Sequence, residues 1–394
     1  MRRRLFIATT FTIVFLATWL NARAADDEIV LRKETWQLGM KPTPIAVNGF
    51  SGEVDQTLRF DLEVMGCVIV PMGTAGLNYQ VTGNNNGRVE GRLLDLVSKA
   101  QLLGKAYTGG SLRQQTHALA DDVVAHLPNH GKGIAQTRIA FKAEKGGNSE
   151  IYIADFDGYN PQQVTRDNTI VAAPAWVPGR LALYYTSYKF GNPDIFFNDL
   201  STGARKGVAQ HAGSNISPAP SPDGKHLAMI LSKDGWTDLY VANADGSGPK
   251  RLTRSREDES SPCWSPDGQW ICYATRINDR RVLCRVPAAG GDAQRIPTSG
   301  VSSPTEPDWS PDGKWIAFTA QMGGFELCVV PAAGGTATVL VSGEDPSWAP
   351  NSRNLIFARR TGGGYVLSLL DVPTKQVKDV RRISTSGSQP SWAR

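Results

Sequence analysis

From Arg138 onward the chain alternates apolar and polar residues in short runs, separated by turn-forming residues at regular intervals. Ile151-Tyr-Ile-Ala, Leu239-Tyr-Val-Ala and Leu327-Cys-Val-Val read as strands, because successive side chains of an extended chain point to opposite faces. Ser-Pro-Asp-Gly occurs at 221–224, 265–268 and 310–313. Proline presets the turn, aspartate bonds its own backbone, and glycine supplies a positive φ. The surroundings recur too: Pro262-Cys-Trp264 with Ile271 and Tyr273 matches Pro307-Asp-Trp309 with Ile316 and Phe318. Degenerate copies begin at Pro174, Pro218, Pro346 and Pro390. The tryptophan-type positions (176, 220, 264, 309, 348 and 392, with proline at 220) are spaced by 44, 44, 45, 39 and 44 residues. That is the period of a four-stranded propeller blade.

Within each unit the Trp strand leads through the turn to a second strand. A third ends in an Ala-Gly or Asp-Gly turn, and a fourth carries an Arg-Leu-Thr-like phrase: Gln163-Val-Thr165, Arg251-Leu-Thr253, Gln294-Arg-Ile296 and Arg382-Ile-Ser384. The second-strand phrase follows each Trp position by seven residues, at Leu183, Leu227, Ile271, Ile316 and Leu355. Ile139 lies 44 residues before Leu183 with no Trp strand ahead of it, and no second strand follows Trp392. Pro390–Arg394 is therefore expected to supply the inner strand of the blade begun by Arg138, giving six blades over 136–394 and no open edge.

Residues 25–135 lack the repeat. Pro44-Ile-Ala-Val-Asn, Cys67-Val-Ile-Val-Pro, Asn78-Tyr-Gln-Val and the runs from Arg88 and Gln101 read as strands. Ser111 to His126 has helical spacing, with Ser111 as N-cap. The expectation is a mainly β chain, a six-bladed β-propeller with a small N-terminal α/β domain joined by Asn129-His-Gly-Lys-Gly. Ahead of these, residues 1–24 have a leader pattern: Arg2-Arg-Arg4, an apolar stretch to Leu20, and Ala22-Arg-Ala24. An uncleaved anchor is the alternative, but the apolar run is short of the ~20 residues a span needs.

Charge narrows the function. The chain carries 42 basic and 37 acidic residues, and Arg2, Arg3, Arg4 and Arg23 fall within the leader. The remainder is nearly neutral, which does not support a general nucleic-acid or anionic-membrane binder. The five cysteines form no CxxC. They read as buried thiols, with a Cys272–Cys284 bridge across a hairpin at Asn278 as the alternative in an oxidising compartment. His126 and His130 read as a capped helix end, with a shared metal as the alternative. No Gly-x-Ser-x-Gly, His-Glu-x-x-His or phosphate loop occurs.

Taken in order, Pro44-Ile-Ala-Val with Phe50, Asp61-Leu62 ahead of Gly66, Arg138-Ile-Ala-Phe141, Asp155-x-Asp157-Gly158-Tyr159-Asn160, the six repeats and the terminal Pro-Ser-Trp resemble the TolB family. The resemblance covers the chain after the leader. It implies a periplasmic binding protein of the Tol–Pal envelope system, not an enzyme and without a cofactor. The implied partners are a Pal-like peptidoglycan-associated lipoprotein on the propeller and a TolA-like inner-membrane protein at the mature N-terminus, with peripheral association with the outer membrane through these partners. Family contacts to the lipoprotein precede the Pro-x-Trp phrases, which maps here to Ser214 and Ser217, then Glu259, Ser260 and Ser261, then Thr305 and Glu306. Repeat symmetry adds Glu344 and Asp345, and Ser388 and Gln389. The segment from Asp26 to Lys33 departs from the family pattern. Glu306, Glu344 and Asp345 are also weighed as a cation site at the channel mouth. The competing reading is a propeller hydrolase or lyase working in the channel.

Overall fold

In the computed structural model, residues 37–394 are described, so the leader and the Asp26–Lys33 segment lie outside them. The N-terminal part is a five-stranded sheet in the order β2-β1-β3-β4-β5, formed by β1 (Thr43–Asn48), β2 (Cys67–Ile69), β3 (Tyr79–Asn84), β4 (Val89–Asp95) and β5 (Gln101–Tyr107). Strand β1 runs parallel to β2 and β3, while β3, β4 and β5 are antiparallel. Two helices, α1 (Gly52–Val64) and α2 (Leu112–Ala125), pack with this sheet.

The end of α2 signalled by Ser111 is present. Its side chain accepts from the Gln114 backbone N–H while the Gln114 side chain accepts from the Ser111 N–H, a closed capping box. Helix α1 has no expected counterpart in the sequence reading. It opens on glycine and its preceding Ser51 makes no side-chain cap, so the start signals that revealed α2 are missing.

Six four-stranded sheets complete the ring, with inner strands Ser386–Trp392, Val171–Trp176, Asn215–Pro220, Ser260–Trp264, Pro304–Trp309 and Glu344–Trp348 for blades one to six. Blade one joins the two ends of the repeat array: Trp392 pairs with Ile139 and Ser391 with Ala140. Each Ser-Pro-Asp-Gly turn closes alike. In 221–226, Asp223 accepts from the Lys225 N–H (3.0 Å) and the Ser221 hydroxyl from the His226 N–H (2.9 Å). The same bonds recur at Ser265 and Asp267 and at Ser310 and Asp312.

Two expectations change. The fourth strand of blade six is Gln376–Asp379, not Arg382-Ile-Ser384. Val380 N–H donates to Leu367 O, the position taken by Val164 on Ile151 and Leu252 on Leu239, so the matching phrase is Asp379-Val-Arg381. Cys272 and Cys284 do not face each other either. The hairpin turns on Asn278 and Asp279, both left-handed (φ 50° and 61°), and so pairs Cys272 with Arg285 and Cys284 with Tyr273. A one-residue offset puts the two on opposite faces of the blade. Across the other neighbouring strand, Cys272 is paired with Cys263, and all five cysteines are free and buried.

The N-terminal part and the ring share a core. Leu58, Leu62, Val123 and Val124 belong to one buried cluster with Ile139, Ile356, Leu369 and Trp392. Polar groups complete the junction. Arg353, 1% exposed, pairs with Asp371 (2.5 Å) and donates to Asn129 O (2.6 Å), and Asn354 donates to Val64 O (2.8 Å). Gly66 has φ +89° and lies so near Arg353 that a Cβ there would overlap the guanidinium. The linker segment thus lies against blade six.

Candidate partner-binding face

Every inner strand carries the same irregularity. Ala173, Ser217, Ser261, Glu306, Asp345 and Gln389 stand immediately before the proline of their Pro-x-Trp or Pro-x-Pro phrase, and each has φ between 48° and 57°. At each of these points the register with the second strand shifts, as a bulge requires. Left-handed backbone is costly for residues with a Cβ and persists where the surroundings over-determine it. Here the bulge does so six times around one ring.

Hydrogen bonds run from blade to blade along this ring. The Glu306 carboxylate accepts the Asp345 N–H (3.1 Å), the Asp345 carboxylate accepts the Gln389 N–H (3.1 Å), and the Gln389 carboxamide oxygen accepts the Ala173 N–H (2.9 Å). Thr319 donates to Glu306 (2.7 Å), and Thr186 accepts the Ser217 N–H (3.2 Å). Side chains at equivalent positions therefore fasten blades five, six, one and two to one another. Burial and the neighbouring Glu306 carboxylate push the Asp345 carboxyl well above the ordinary range, and burial raises Glu344 as well.

The ring opens into a central channel of about 510 Å³ lined by the inner strands of all six blades. Tryptophans 176, 264, 309 and 392 line its other end. There the Arg394 guanidinium pairs with Asp308 and donates to Trp348 O (3.2 Å), and Asp308 accepts the Trp348 N–H (2.7 Å). Burial raises the Asp308 carboxyl, and Arg394 opposes the shift.

Of the residues the sequence points to, five line the channel: Ser217, Ser261, Glu306, Asp345 and Gln389. Ser260, Thr305 and Glu344 are half-buried members of the inner strands that do not line it, and Ser388 is buried. Ser214 lies just ahead of its strand, its N–H on the Ser232 hydroxyl (2.7 Å). Glu259 is not presented to a partner. It is 3% exposed, accepts the Leu239 N–H (2.9 Å) and is bonded by Thr253 and Ser255. Burial pushes its carboxyl up to about 7. The sixth ring member, Ala173, was not singled out, because alanine carries no polar signal.

No histidine lines the channel, and among the described residues no group of three His, Cys, Asp or Glu side chains is placed to hold a metal. The Glu306, Glu344 and Asp345 carboxylates are not such a group. His126 and His130 share no metal: each Nδ1 bonds a backbone carbonyl, Asp122 O (2.7 Å) and Pro128 O (2.9 Å), and His130 is buried against Cys67.

A family model described as the TolB beta propeller domain (PD40) matches residues 129–394. A Bordetella pertussis protein named Tol-Pal system protein TolB is 32% identical over 320 residues, 79% of this chain and 73% of that protein. The protein of the same name from Bordetella avium is 30% identical over 415 residues, 96% of this chain and 93% of its own. Among solved structures, TolB from Acinetobacter baumannii superimposes with a TM-score of 0.81 at 23% identity, covering 91% of this chain and 98% of that one.

Proposed function

The chain belongs to the TolB family, and we propose that it is a periplasmic component of a Tol–Pal envelope system that works by binding proteins, not by catalysis. Its propeller docks a Pal-like lipoprotein at the mouth ringed by Ser217, Ser261, Glu306, Asp345 and Gln389, and a TolA-like protein takes the segment after the leader. The leader delivers the chain to the periplasm, and docking there supports outer-membrane integrity and cell division. What carries the reading is the six-fold ring of left-handed residues. A face fixed by bulges and inter-blade bonds is organised before its partner arrives, so little ordering is lost on binding. The acidic groups concentrate on one side of the mouth, in blades five and six, which orients a docking domain.

Calorimetry with the purified soluble domain of a peptidoglycan-associated lipoprotein tests this. Ser261→Arg places a long cation in the mouth, and Thr305→Arg places one beside it. Each is expected to weaken binding by about 1–3 kcal/mol, the range for spoiling a charged or desolvated contact. Unchanged affinity in both variants, with unchanged melting, overturns docking at this mouth.

A further inference from the structure

The same end of the ring carries a second feature. Inner strands run from the bulge mouth toward the tryptophan end, second strands run back, and the hairpins to the third strands therefore stand around the bulge mouth. The tips of these hairpins expose large apolar side chains in consecutive blades: Phe190 (64% exposed) in blade two, Trp236 (49%) in blade three, Ile277 (42%) in blade four and Met322 (45%) in blade five. Tyr188 and Phe325 stand on the same tips, so six of the twelve exposed large apolar residues among those described are gathered here, whereas such residues are ordinarily scattered singly.

Basic residues accompany them. Lys189 sits over the Phe190 ring at 5.9 Å, Arg276 and Arg280 flank Ile277, and Lys233 precedes Trp236 by three residues. Residues 142–148, 188–193, 233–237, 276–281, 321–326 and 359–365 hold nine Lys or Arg against four Asp or Glu. Two of the basic residues pair on their own tips, Lys142 with Glu144 and Lys233 with Asp234, and two pair with acids outside the tips, Lys189 with Asp167 (3.9 Å) and Arg359 with Asp379 (2.5 Å). The excess remains, in a chain that is nearly neutral beyond its first 24 residues.

We infer that this rim is a peripheral membrane-binding face for an anionic phospholipid surface. Separate tips, each pairing an apolar or aromatic group with a cation at one end of a rigid ring, match what the interface of a bilayer accepts: rings and aliphatic groups at headgroup depth, cations among the phosphates. A protein partner seated on the tips would be served instead by one continuous apolar patch, whereas these side chains stand apart, on separate hairpins of successive blades. The inference goes beyond lipoprotein docking and stands without it. A lipid-anchored partner at the mouth would add a second tether to the same surface.

Co-sedimentation of the mature chain with vesicles tests it. Vesicles of phosphatidylcholine are compared with vesicles containing phosphatidylglycerol, at low and high salt. Binding is expected only to the anionic vesicles and to fall at high salt. It should drop about fivefold for each basic side chain removed, as in Lys189→Gln or Arg280→Gln, and more than tenfold in a Phe190→Ser, Trp236→Ser double variant. All these positions are exposed, so melting serves as the folding control. Absence of binding to anionic vesicles at low salt, or binding indifferent to these substitutions, overturns the inference. Loss of lipoprotein affinity in the double variant, with no vesicle binding by the parent, would assign the rim to the protein partner instead. Ser261→Gln, which enlarges a mouth residue without adding charge, is expected to leave vesicle binding unchanged, which separates failure of the rim from failure of the mouth.

Discussion

The carboxylate of Asp345, in the inner strand of blade six, accepts the backbone N–H of Gln389, in the inner strand of blade one, at 3.1 Å. Gln389 repeats the act on Ala173 in blade two. Ring closure is thus more than strand exchange: the side chain of each of these residues satisfies the backbone of the next blade at the point where a bulge has freed it.

Gln389→Ala leaves the Ala173 N–H without its acceptor. The cost is expected to be about 1–3 kcal/mol, that of an unsatisfied partly buried donor, read as a lowered midpoint in urea with an unchanged slope. A midpoint equal to the parent's would show that the relay adds nothing to closure.

Deleting Gln389 to Arg394 removes most of the strand that pairs with Arg138–Lys145, together with buried Trp392 and its bond to Thr137 (2.7 Å). Blade one then presents an unpaired edge. Calorimetry should show loss of the single cooperative transition, with aggregation on heating. A truncated chain melting like the parent would mean that the ends do not hold the ring.

Glu259 sets a pH dependence. Its carboxyl is raised from the usual 4.5 to about 7 by burial, so the folded state holds a proton that the unfolded state releases. Stability from this group is therefore greatest below about pH 4.5 and is lost as pH rises toward 7, a difference on the order of 3 kcal/mol. Glu259→Gln keeps the carbonyl that accepts the Leu239 N–H and removes the titration. Melting at pH 5 and pH 8 should differ less in the variant than in the parent, and an equal difference would count against the assignment.

Arg353→Leu isolates Asp371 at the junction between the ring and the N-terminal part. Removing one partner of a buried pair costs about 3–5 kcal/mol, because the remaining charge is stranded. Double substitution with Asp371→Leu should recover much of that loss. Recovery measured in a denaturation cycle distinguishes a stranded charge from lost packing.

The sequence determined the ring and its closure. Ser-Pro-Asp-Gly, the Trp positions and the second-strand phrases are local instructions: turn residues with fixed backbone demands, followed by alternating strands. Counting them gave six blades and the exchange of Trp392 onto Ile139. It also located Ser217, Ser261, Glu306, Asp345 and Gln389, because each precedes a repeat proline. Tertiary structure decided what those residues do. Left-handed backbone at Glu306 or Asp345 has no local signal, since neither is glycine and the demand comes from the neighbouring strand and the next blade. Glu259, one strand position from its exposed look in the sequence, is turned inward by the blade it seals. The partner of Cys272 was decided by a two-residue hairpin, because one residue of offset reverses every side chain. The rim was invisible for a related reason: Phe190, Trp236 and Ile277 lie some forty residues apart, and only closure of the ring brings them to one end.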